Sequence, residues 1–291
     1  MRISTNTASI ARKHGIPRAV KMIADAGFSC ADISLFDFEL IPEDRDISDL
    51  ARILNGISSN CGISFNQAHA PFDRYVDGYL AKVVPVLPRV FKLCGALSIP
   101  AVIVHPLKDS TKLYSDNVAQ MFEINRSFYN SLAPLAEEYG VKIAIENMFH
   151  RNPATYEIMQ GICADPAEHI ALYESLDKKE LYTLCLDVGH SVLTDRDPAT
   201  VIRELGADRL TCLHIHDVDG INDLHTLPGL SKINFDPILR SLAAIDYRGD
   251  FTLECDNFIS GFEDDFLPTA LSFMADRAGY LADRIEGYRL L

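Results

Sequence analysis

Short apolar segments alternate with longer helical patterns along the whole chain. The short segments have the length of buried strands, and the longer ones have helical spacing. Eight strands are predicted, at Arg2–Thr5, Cys30–Leu35, Ser64–His69, Ala101–His105, Lys142–Glu146, Tyr182–Asp187, Leu210–His216 and Asp250–Glu254. Eight helices are predicted between and after them, at Pro17–Ala26, Ile47–Cys61, Asp77–Leu97, Ser115–Tyr139, Pro166–Leu176, Pro198–Leu205, Phe235–Ala244 and Pro268–Tyr288.

Strict alternation of strand and helix predicts a parallel sheet, and eight units favour closure of that sheet into a barrel. The alternative is an open, doubly wound sheet, which normally has a glycine-rich turn after its first strand. Here the first strand is followed by Asn6-Thr7-Ala8-Ser9. We therefore predict an α/β fold, a single (β/α)8 TIM barrel, with residues 1–291 forming one domain.

Prolines and aspartates mark several predicted helix ends. Asp165 and Asp197 each precede a proline and are predicted N-caps. Pro85 and Pro88 interrupt the predicted helix Asp77–Leu97, which is therefore expected to be kinked or split.

The composition narrows the partners and the compartment. The 27 basic and 41 acidic residues give a net charge of −14, which disfavours bulk nucleic-acid binding unless a metal cluster supplies local positive charge. The seven cysteines are scattered without C-x-x-C spacing, which is typical of a reducing cytoplasm. No apolar segment has the length of a membrane span, so a cytoplasmic protein without a membrane partner is expected.

Polar side chains gather at the predicted carboxyl ends of the strands, the face on which barrel enzymes place their active sites. Any one of them has an ordinary structural explanation; Asp187, for example, could simply cap a helix. Together they occupy seven consecutive strand ends, and buried charges must be paired or must bind a metal. These residues are Asp32, Gln67, His69, His105, Glu146, Asn147, Asp187, His190, His214, His216 and Glu254.

The densest part of this pattern runs from Leu213 to Gly229. His214 and His216 alternate at a strand end, so both can face the same side, and Asp223 and His225 follow in a loop. A polar loop with incidental histidines is the simpler alternative. We favour a metal site at the carboxyl end of this strand.

The last four strands supply Glu146, Asp187, His216 and Glu254 as predicted metal ligands. Three carboxylates and one imidazole suit a divalent ion such as Mn²⁺, Mg²⁺, Co²⁺ or Zn²⁺ and leave room for substrate oxygens. Five further polar residues could bind additional metal ions, more than one zinc included, or could hydrogen bond a polyol. They are His69, His105, His190, Asp223 and His225.

These motifs resemble the xylose-isomerase-like TIM-barrel superfamily, which includes sugar phosphate isomerases and epimerases, inosose isomerases, ketose 3-epimerases and endonuclease IV. The resemblance covers essentially the whole chain, although no motif fixes a substrate. The motifs are Ala-His69-Ala-Pro-Phe, Val-His105-Pro, Ile-Glu146-Asn147, Leu-Asp187-Val-Gly-His190, His214-Ile-His216-Asp217, Asp223-Leu-His225 and Leu-Glu254.

The resemblance implies an isomerase or epimerase of a small sugar, inosose or sugar phosphate. One divalent ion on Glu146, Asp187, His216 and Glu254 would stabilise an enediolate, and Glu146 and Glu254 would move the proton. The sugar or polyol would be bound by His69, His105, His190, Asp223 and His225. No lysine- or arginine-rich phosphate cradle stands out in the sequence, which favours an unphosphorylated substrate. A homo-oligomer is compatible with this interpretation.

The sequence also differs from two groups of relatives. Ketose 3-epimerases carry an arginine shortly after the seventh-strand histidine, where this chain has Asp217-Val-Asp-Gly-Ile-Asn222. Endonuclease IV holds three zinc ions on a residue set that is fully present here, so a phosphodiesterase acting on abasic DNA is an alternative. The loops lack the dense basic and wedge residues of a DNA-bending enzyme, which argues against nucleic acid. A lyase or dehydratase and a non-catalytic carbohydrate-binding barrel are the remaining alternatives.

Overall fold

A parallel sheet that closes on itself lies at the centre of the protein, and a computed structural model describes residues 1–290. Each strand pairs in parallel with the strand next to it in the chain, and the last strand pairs with the first. The eight strands are β1 (Ile3–Asn6), β2 (Cys30–Ser34), β3 (Ser64–His69), β4 (Ala101–Ile103), β5 (Lys142–Glu146), β6 (Tyr182–Asp187), β7 (Leu210–His214) and β8 (Phe251–Leu253).

Closure between β7 and β8 depends on two hydrogen bonds just beyond the end of β7. The backbone N–H of Ile215 donates to the carbonyl of Thr252 at 2.9 Å, and that of Glu254 donates to the carbonyl of Ile215 at 3.0 Å. The predicted (β/α)8 TIM barrel is therefore confirmed. A closed sheet has no free edge, and its interior is a single compartment with one carboxyl-terminal mouth.

Helices cover the outside of the barrel. The principal α-helices are Ala8–His14, Ile16–Asp25, Ile47–Cys61, Leu87–Ala96, Val118–Tyr139, Pro166–Glu174, Val188–Leu193, Pro198–Leu205, Phe235–Ala244, Asp256–Ser260 and Leu267–Arg289. Asp165 and Asp197 accept hydrogen bonds from the first turns of their helices, as predicted for N-caps. No helix within residues 1–290 combines the length and the apolar character that crossing a bilayer requires.

The predicted helix Asp77–Leu97 is split into shorter pieces. A π-helical turn at Tyr79–Val83 and a 3-10 turn at Val84–Val86 precede the α-helix Leu87–Ala96. Pro85 and Pro88 lie at the first turns of the last two pieces, where their missing N–H groups are tolerated.

Several elements near the mouth of the barrel were not predicted. A short antiparallel hairpin pairs Phe149–Arg151 with Ile158–Gln160, and its three-residue strands are too short to show a periodic pattern. Four strands also end one or two residues earlier than predicted, at Ser34, Ile103, His214 and Leu253. His105, His216 and Glu254 therefore lie in the first residues of the loops rather than on the strands.

The apolar residues form two clusters with different positions. A large cluster joins the outward faces of the strands to the surrounding helices. A small one fills the barrel interior with Ala101, Ile103, Ala144, Cys185 and Cys212. All seven cysteines are free thiols. Beyond the small interior cluster, toward the carboxyl ends of the strands, the buried side chains become polar.

Candidate active site

One cavity of about 550 Å³ opens at the carboxyl ends of the strands. Seven of the predicted site residues line it: His69, His105, Glu146, His190, Asp223, His225 and Glu254. Asp187 and His216 are fully buried beside it. The structure thus brings residues that are up to 185 positions apart (His69 and Glu254) to one place.

Glu146, at the end of β5, contacts imidazoles on both of its oxygens. Its Oε1 lies 2.8 Å from Nδ1 of His214. Its Oε2 lies 2.8 Å from Nε2 of His105 and 3.6 Å from Nε2 of His69. Nevertheless Oε2 is buried without a partner in hydrogen-bond geometry. A buried carboxylate oxygen in this condition has capacity for another ligand.

The tautomer of His69 directs a lone pair at Nε2 of His105. Its Nδ1 lies 2.7 Å from the carbonyl oxygen of Ala70, which can only accept, so Nδ1 carries the hydrogen. Nε2 is then an acceptor, and it faces Nε2 of His105 at 3.0 Å. Nε2 of His105 can therefore donate to His69, and it also lies 2.8 Å from Oε2 of Glu146.

Asp187 has two partners in the structure. Both of its carboxylate oxygens lie 3.0 Å from Nε2 of His216. Oδ1 also accepts a hydrogen bond of 2.6 Å from the backbone N–H of His190, so Asp187 caps the helix Val188–Leu193. Gly189 is required in this turn, because a Cβ there would lie 2.1 Å from Cε1 of His216. The carboxylate of Asp187 therefore both caps this helix and contacts His216 at the candidate site.

His190, Asp223 and His225 form a second group at the cavity wall. Nδ1 of His190 donates to the carbonyl of Asn147 at 2.9 Å, and Nδ1 of His225 donates to the carbonyl of Glu254 at 3.2 Å. Their Nε2 atoms face the Asp223 carboxylate and lie 3.9 Å and 3.2 Å from its Oδ2, and the shorter contact is a hydrogen bond donated by His225. The three ligand atoms lie close enough to hold a metal ion.

The loop that carries Asp223 and His225 is fixed by a residue outside the cavity. The carboxylate of Asp217 accepts three backbone hydrogen bonds, from Gly229, Ser231 and Ile233, at 2.9, 3.0 and 2.9 Å. His225 itself has a left-handed backbone with φ of 42°, which is unfavourable for a non-glycine residue. Its ring stacks on His216 at 4.2 Å between centroids, so local packing holds the strained conformation.

The pKa values of the two glutamates in the cluster are shifted in opposite directions. Burial, with the like charges of Glu146 and Asp187, raises the pKa of Glu254 to about 8, although His214 and His225 oppose the shift. Burial also acts to raise the pKa of Glu146, but the imidazoles of His214 and His105 hold it well below its usual range. Carboxylates with such opposed environments in one buried site are typical of a functional centre.

His214 belongs to the predicted set of strand-end residues, but no specific role was predicted for it. Its Nδ1 lies 2.8 Å from Oε1 of Glu146 and 3.4 Å from Oε2 of Glu254, so it joins the two predicted catalytic carboxylates. His216, the predicted metal ligand, instead faces Asp187 and His225. The alternation of the two histidines placed both on the same side of the chain but could not show which one reaches the glutamates.

Asn147 is a second residue without a predicted role. Its side-chain amide donates to the carbonyl of Asp187 at 3.0 Å and accepts from the N–H of Asp187 at 2.7 Å. The amide therefore ties the end of β5 to the end of β6. This contact keeps Glu146 and Asp187 at a fixed separation.

The comparisons with known proteins agree with this architecture. The family model for the xylose isomerase-like TIM barrel matches residues 20–276, and the chain belongs to that family. A crystal structure of a D-tagatose 3-epimerase-like protein superimposes with a TM-score of 0.76 at 18% identity, covering 98% of this chain and 99% of the other. D-Psicose 3-epimerase from Clostridium cellulolyticum H10 gives a TM-score of 0.72 at 17% identity, covering 97% and 99%. The second neighbour is a sugar epimerase and the first is described as similar to one, and at these identities both show the fold.

Relatives found by sequence have less informative names. The uncharacterized protein MJ1311 of Methanocaldococcus jannaschii is 30% identical over 158 residues, which cover 54% of this chain and half of that protein. The uncharacterized protein y4fM of Sinorhizobium fredii is 27% identical over 266 residues, covering 82% and 81%. A probable endonuclease 4 of Mycoplasma mycoides is 22% identical over 175 residues, 56% of each chain.

Proposed function

We propose that this protein is a divalent-metal-dependent isomerase or epimerase of a small sugar, acting by proton transfer between carboxylates and the substrate. The observation that carries the proposal is that Glu146 and Glu254 both face Nδ1 of His214, at 2.8 Å and 3.4 Å, in a closed barrel. The sugar epimerases among the structural neighbours support the same reaction class.

The buried donor atoms fit a divalent cation. Glu146 Oε2 has no hydrogen-bond partner, His69 Nε2 lies 3.6 Å from it, and burial beside Glu146 and Asp187 raises the pKa of Glu254 to about 8. We propose Glu146, Asp187, Glu254 and an imidazole as the ligands, with His214 favoured over the originally predicted His216. A divalent cation held by this set supplies positive charge that polarises a substrate carbonyl and stabilises negative charge on its oxygen.

The chain's own carboxylates perform the proton transfer in this proposal. One of Glu146 and Glu254 removes the proton on the carbon next to the carbonyl, and the electron pair moves onto the carbonyl oxygen to give an enediolate. Return of a proton to the opposite face of the same carbon gives the epimer. Return to the former carbonyl carbon, with the hydroxyl proton passing to the former carbonyl oxygen, gives the isomer. His214, which contacts both carboxylates, keeps them oriented toward the substrate.

Two aromatic rings shape the side of the cavity that faces His69 and His105. Phe36 packs edge-on against His69 at 4.5 Å between centroids, and Phe72 lies 4.6 Å from the ring of His105. Apolar rings suit the C–H faces of a sugar, whereas the imidazoles suit its hydroxyl groups. This wall supports a sugar or polyol as the bound molecule.

Solvent exchange tests the proposal directly. The purified protein, supplied with Mn²⁺, is incubated in deuterated water with a panel of ketoses and inososes, and deuterium incorporation is measured by mass spectrometry. We expect incorporation next to the carbonyl of at least one compound, and a strong reduction in Glu254→Gln. Glu263→Gln, at an exposed position, is the matched control. Equal exchange by Glu254→Gln and the wild type would contradict the mechanism, and a binding protein would exchange nothing.

A metal-dependent phosphodiesterase is the second candidate. Two groups of side chains have ligand atoms close enough to hold a metal ion each, which favours this candidate. One group is His69, His105 and Glu146, and the other is His190, Asp223 and His225. The match to a probable endonuclease 4 points in the same direction. Cleavage of a duplex with an abasic site, together with three ions per chain in metal analysis, would support this candidate over the isomerase.

A further inference from the structure

Four basic side chains line the same cavity as the predicted catalytic groups. One of them, Arg12, pairs with Asp37 at 2.8 Å, and the other three form a separate group. Arg74 follows β3, Lys108 follows β4, and Arg151 lies on the hairpin after β5. They come from three different loops yet face one space, together with Glu146 and Asp223. We call Arg74, Lys108 and Arg151 the basic wall.

The basic wall is not neutralised by the protein. The acidic residues nearest to it in sequence are engaged elsewhere: Asp73 pairs with Lys82 at 3.5 Å, and Asp109 pairs with Lys112 at 3.4 Å. Within residues 1–290, none of the three basic side chains has a carboxylate within ion-pair distance. In a chain with a net charge of −14, a group of unpaired cations in the principal cavity requires an explanation.

The three cations also lie near one another. The Nζ of Lys108 is 5.6 Å and the Cζ of Arg151 is 5.4 Å from the centre of the Phe149 ring. Burial, reinforced by the positive charges of Arg74 and Arg151, lowers the pKa of Lys108 to about 8, although Glu146 and Asp223 oppose the shift. Like charges that face a common space without a counter-ion are stabilised when an anion enters it.

The loops that carry the basic wall are held in position. The buried side chain of Asn125 accepts from the N–H of Leu107 at 2.7 Å and donates to its carbonyl at 2.9 Å, directly before Lys108. The Oγ of Ser110 donates to the carbonyl of Arg74 at 2.5 Å, which joins two of the loops. The site is therefore formed before a ligand arrives, which reduces the entropy lost on binding.

The wall is also placed correctly relative to the reacting groups. Phe149, which lies under Lys108 and Arg151, packs edge-on against His190 at 4.9 Å between centroids. A ligand that touches His190 and the carboxylates at one end can therefore reach the cations at the other. This arrangement matches a small molecule with a polyol part and an anionic end.

We propose that the basic wall binds an anionic group of the sugar substrate, a phosphate or a carboxylate. The proposal rests on the proposed function and narrows it to sugar phosphates or keto sugar acids. Two guanidinium groups and one ammonium group suit such oxyanions, because arginine can bind two oxygens at once. It revises the expectation of an unphosphorylated substrate: positions 74, 108 and 151 are too far apart in sequence to be seen as a cradle.

The first experiment compares matched substrates. Deuterium exchange is measured for a neutral ketose, its terminal phosphate ester and the corresponding keto sugar acid, with the wild type, Lys108→Met and Lys142→Met. Lys142 is exposed at the opposite end of β5 and is the matched control. We expect the wild type and the control to prefer an anionic ketose. In Lys108→Met the ratio of kcat/KM for the anionic over the neutral ketose should fall about 10- to 100-fold, mainly through KM.

The phosphate ester and the keto sugar acid are compared separately. Only the substrate whose anionic group binds the basic wall should lose its advantage over the neutral ketose in Lys108→Met. An unchanged ratio in Lys108→Met, or no preference in the wild type while neutral ketoses exchange, overturns the basic wall and leaves the isomerase intact. The proposal is also overturned if Lys108→Met loses only the cleavage of an abasic duplex and keeps its exchange of anionic ketoses.

A second measurement does not depend on the reaction. Inorganic phosphate is titrated calorimetrically into the metal-loaded wild type and both variants, so that any contribution of the cation is common to all three. Weaker binding in Lys108→Met than in Lys142→Met supports the anion site even if no ketose exchanges, and equal binding overturns it.

Discussion

His169 lies behind the catalytic face, where it supports the strand that carries Glu146. It is fully buried, and its Nε2 donates to the carbonyl of Ile145 at 3.0 Å. Its Nδ1 is buried without a partner, so a second proton would place an unpaired charge in the interior. Burial accordingly lowers the pKa of His169 to about 4 from its usual value near 6.5.

This shift predicts a loss of stability in acid. The unfolded chain protonates His169 below a pH of about 6.5, whereas the folded chain does so only below about 4. Between these values the unfolded state binds more protons, so the free energy of unfolding falls as the pH falls. At about 1.4 kcal/mol per pKa unit, the two units from pH 6.5 to 4.5 correspond to roughly 2 to 3 kcal/mol.

Urea unfolding at pH 7 and pH 4.5 measures this contribution. His169→Gln retains a donor for the carbonyl of Ile145 but cannot titrate, so its loss of stability between the two pH values should be about 2 kcal/mol smaller than that of the wild type. Comparison of the two proteins cancels the other titrating groups. Equal losses in both proteins would refute the reasoning, because His169 would then titrate alike in the folded and unfolded states.

Three further predictions concern the cation and its ligands. His214→Asn should lose more bound metal than His216→Asn in metal analysis of the purified proteins, because only His214 contacts both glutamates; the opposite order would restore His216 as the ligand. Gly189→Ala should destabilise the fold by about 1 to 3 kcal/mol and lower the metal content, because the new Cβ would clash with the His216 ring. Gly279→Ala is the control and should change neither quantity, because its Cβ would have open space around it. A chelator should lower Tm, because an ion present at 100 times its Kd stabilises the folded state by about 2.7 kcal/mol; an unchanged Tm would argue against a bound cation.

The fold was predictable because each of its units is locally encoded. Helix boundaries such as Pro198–Leu205 and Phe235–Ala244 coincide with the structure, since proline, capping aspartate and amphipathic spacing act within a few residues. The hairpin Phe149–Arg151 with Ile158–Gln160 was not predictable, because three-residue strands carry no measurable period. Its stability comes from tertiary contacts, among them the hydrogen bond from His150 to the carbonyl of Lys112 at 2.8 Å.

The candidate site was predictable as a set of residues but not as a set of contacts. Strand ends of one barrel must meet at its mouth, so the convergence of Glu146 and Glu254 follows from topology. Which imidazole reaches them depends on where β7 ends, and it ends at His214 rather than at His216. The basic wall could not be predicted for a related reason. Its three residues lie on loops, and the pattern of strands does not determine the path of a loop.

The buried carboxylates of the candidate site need positive charge or a proton nearby, both for the stability of the fold and for the proposed reaction. Glu146, Asp187 and Glu254 are buried together, and without a cation their neutralisation falls to the surrounding histidines and to the proton that burial favours on Glu254. In the proposed mechanism, a divalent cation would replace that proton and leave both predicted catalytic carboxylates, Glu146 and Glu254, ionised, as proton abstraction would require. An anionic substrate would then enter a cavity whose positive charge comes from the basic wall and the cation. The buried carboxylates of the protein would already be neutralised by the cation and the histidines. The wall is therefore the part of the cavity able to select an anionic sugar over a neutral one, since the carboxylate cluster alone would repel it.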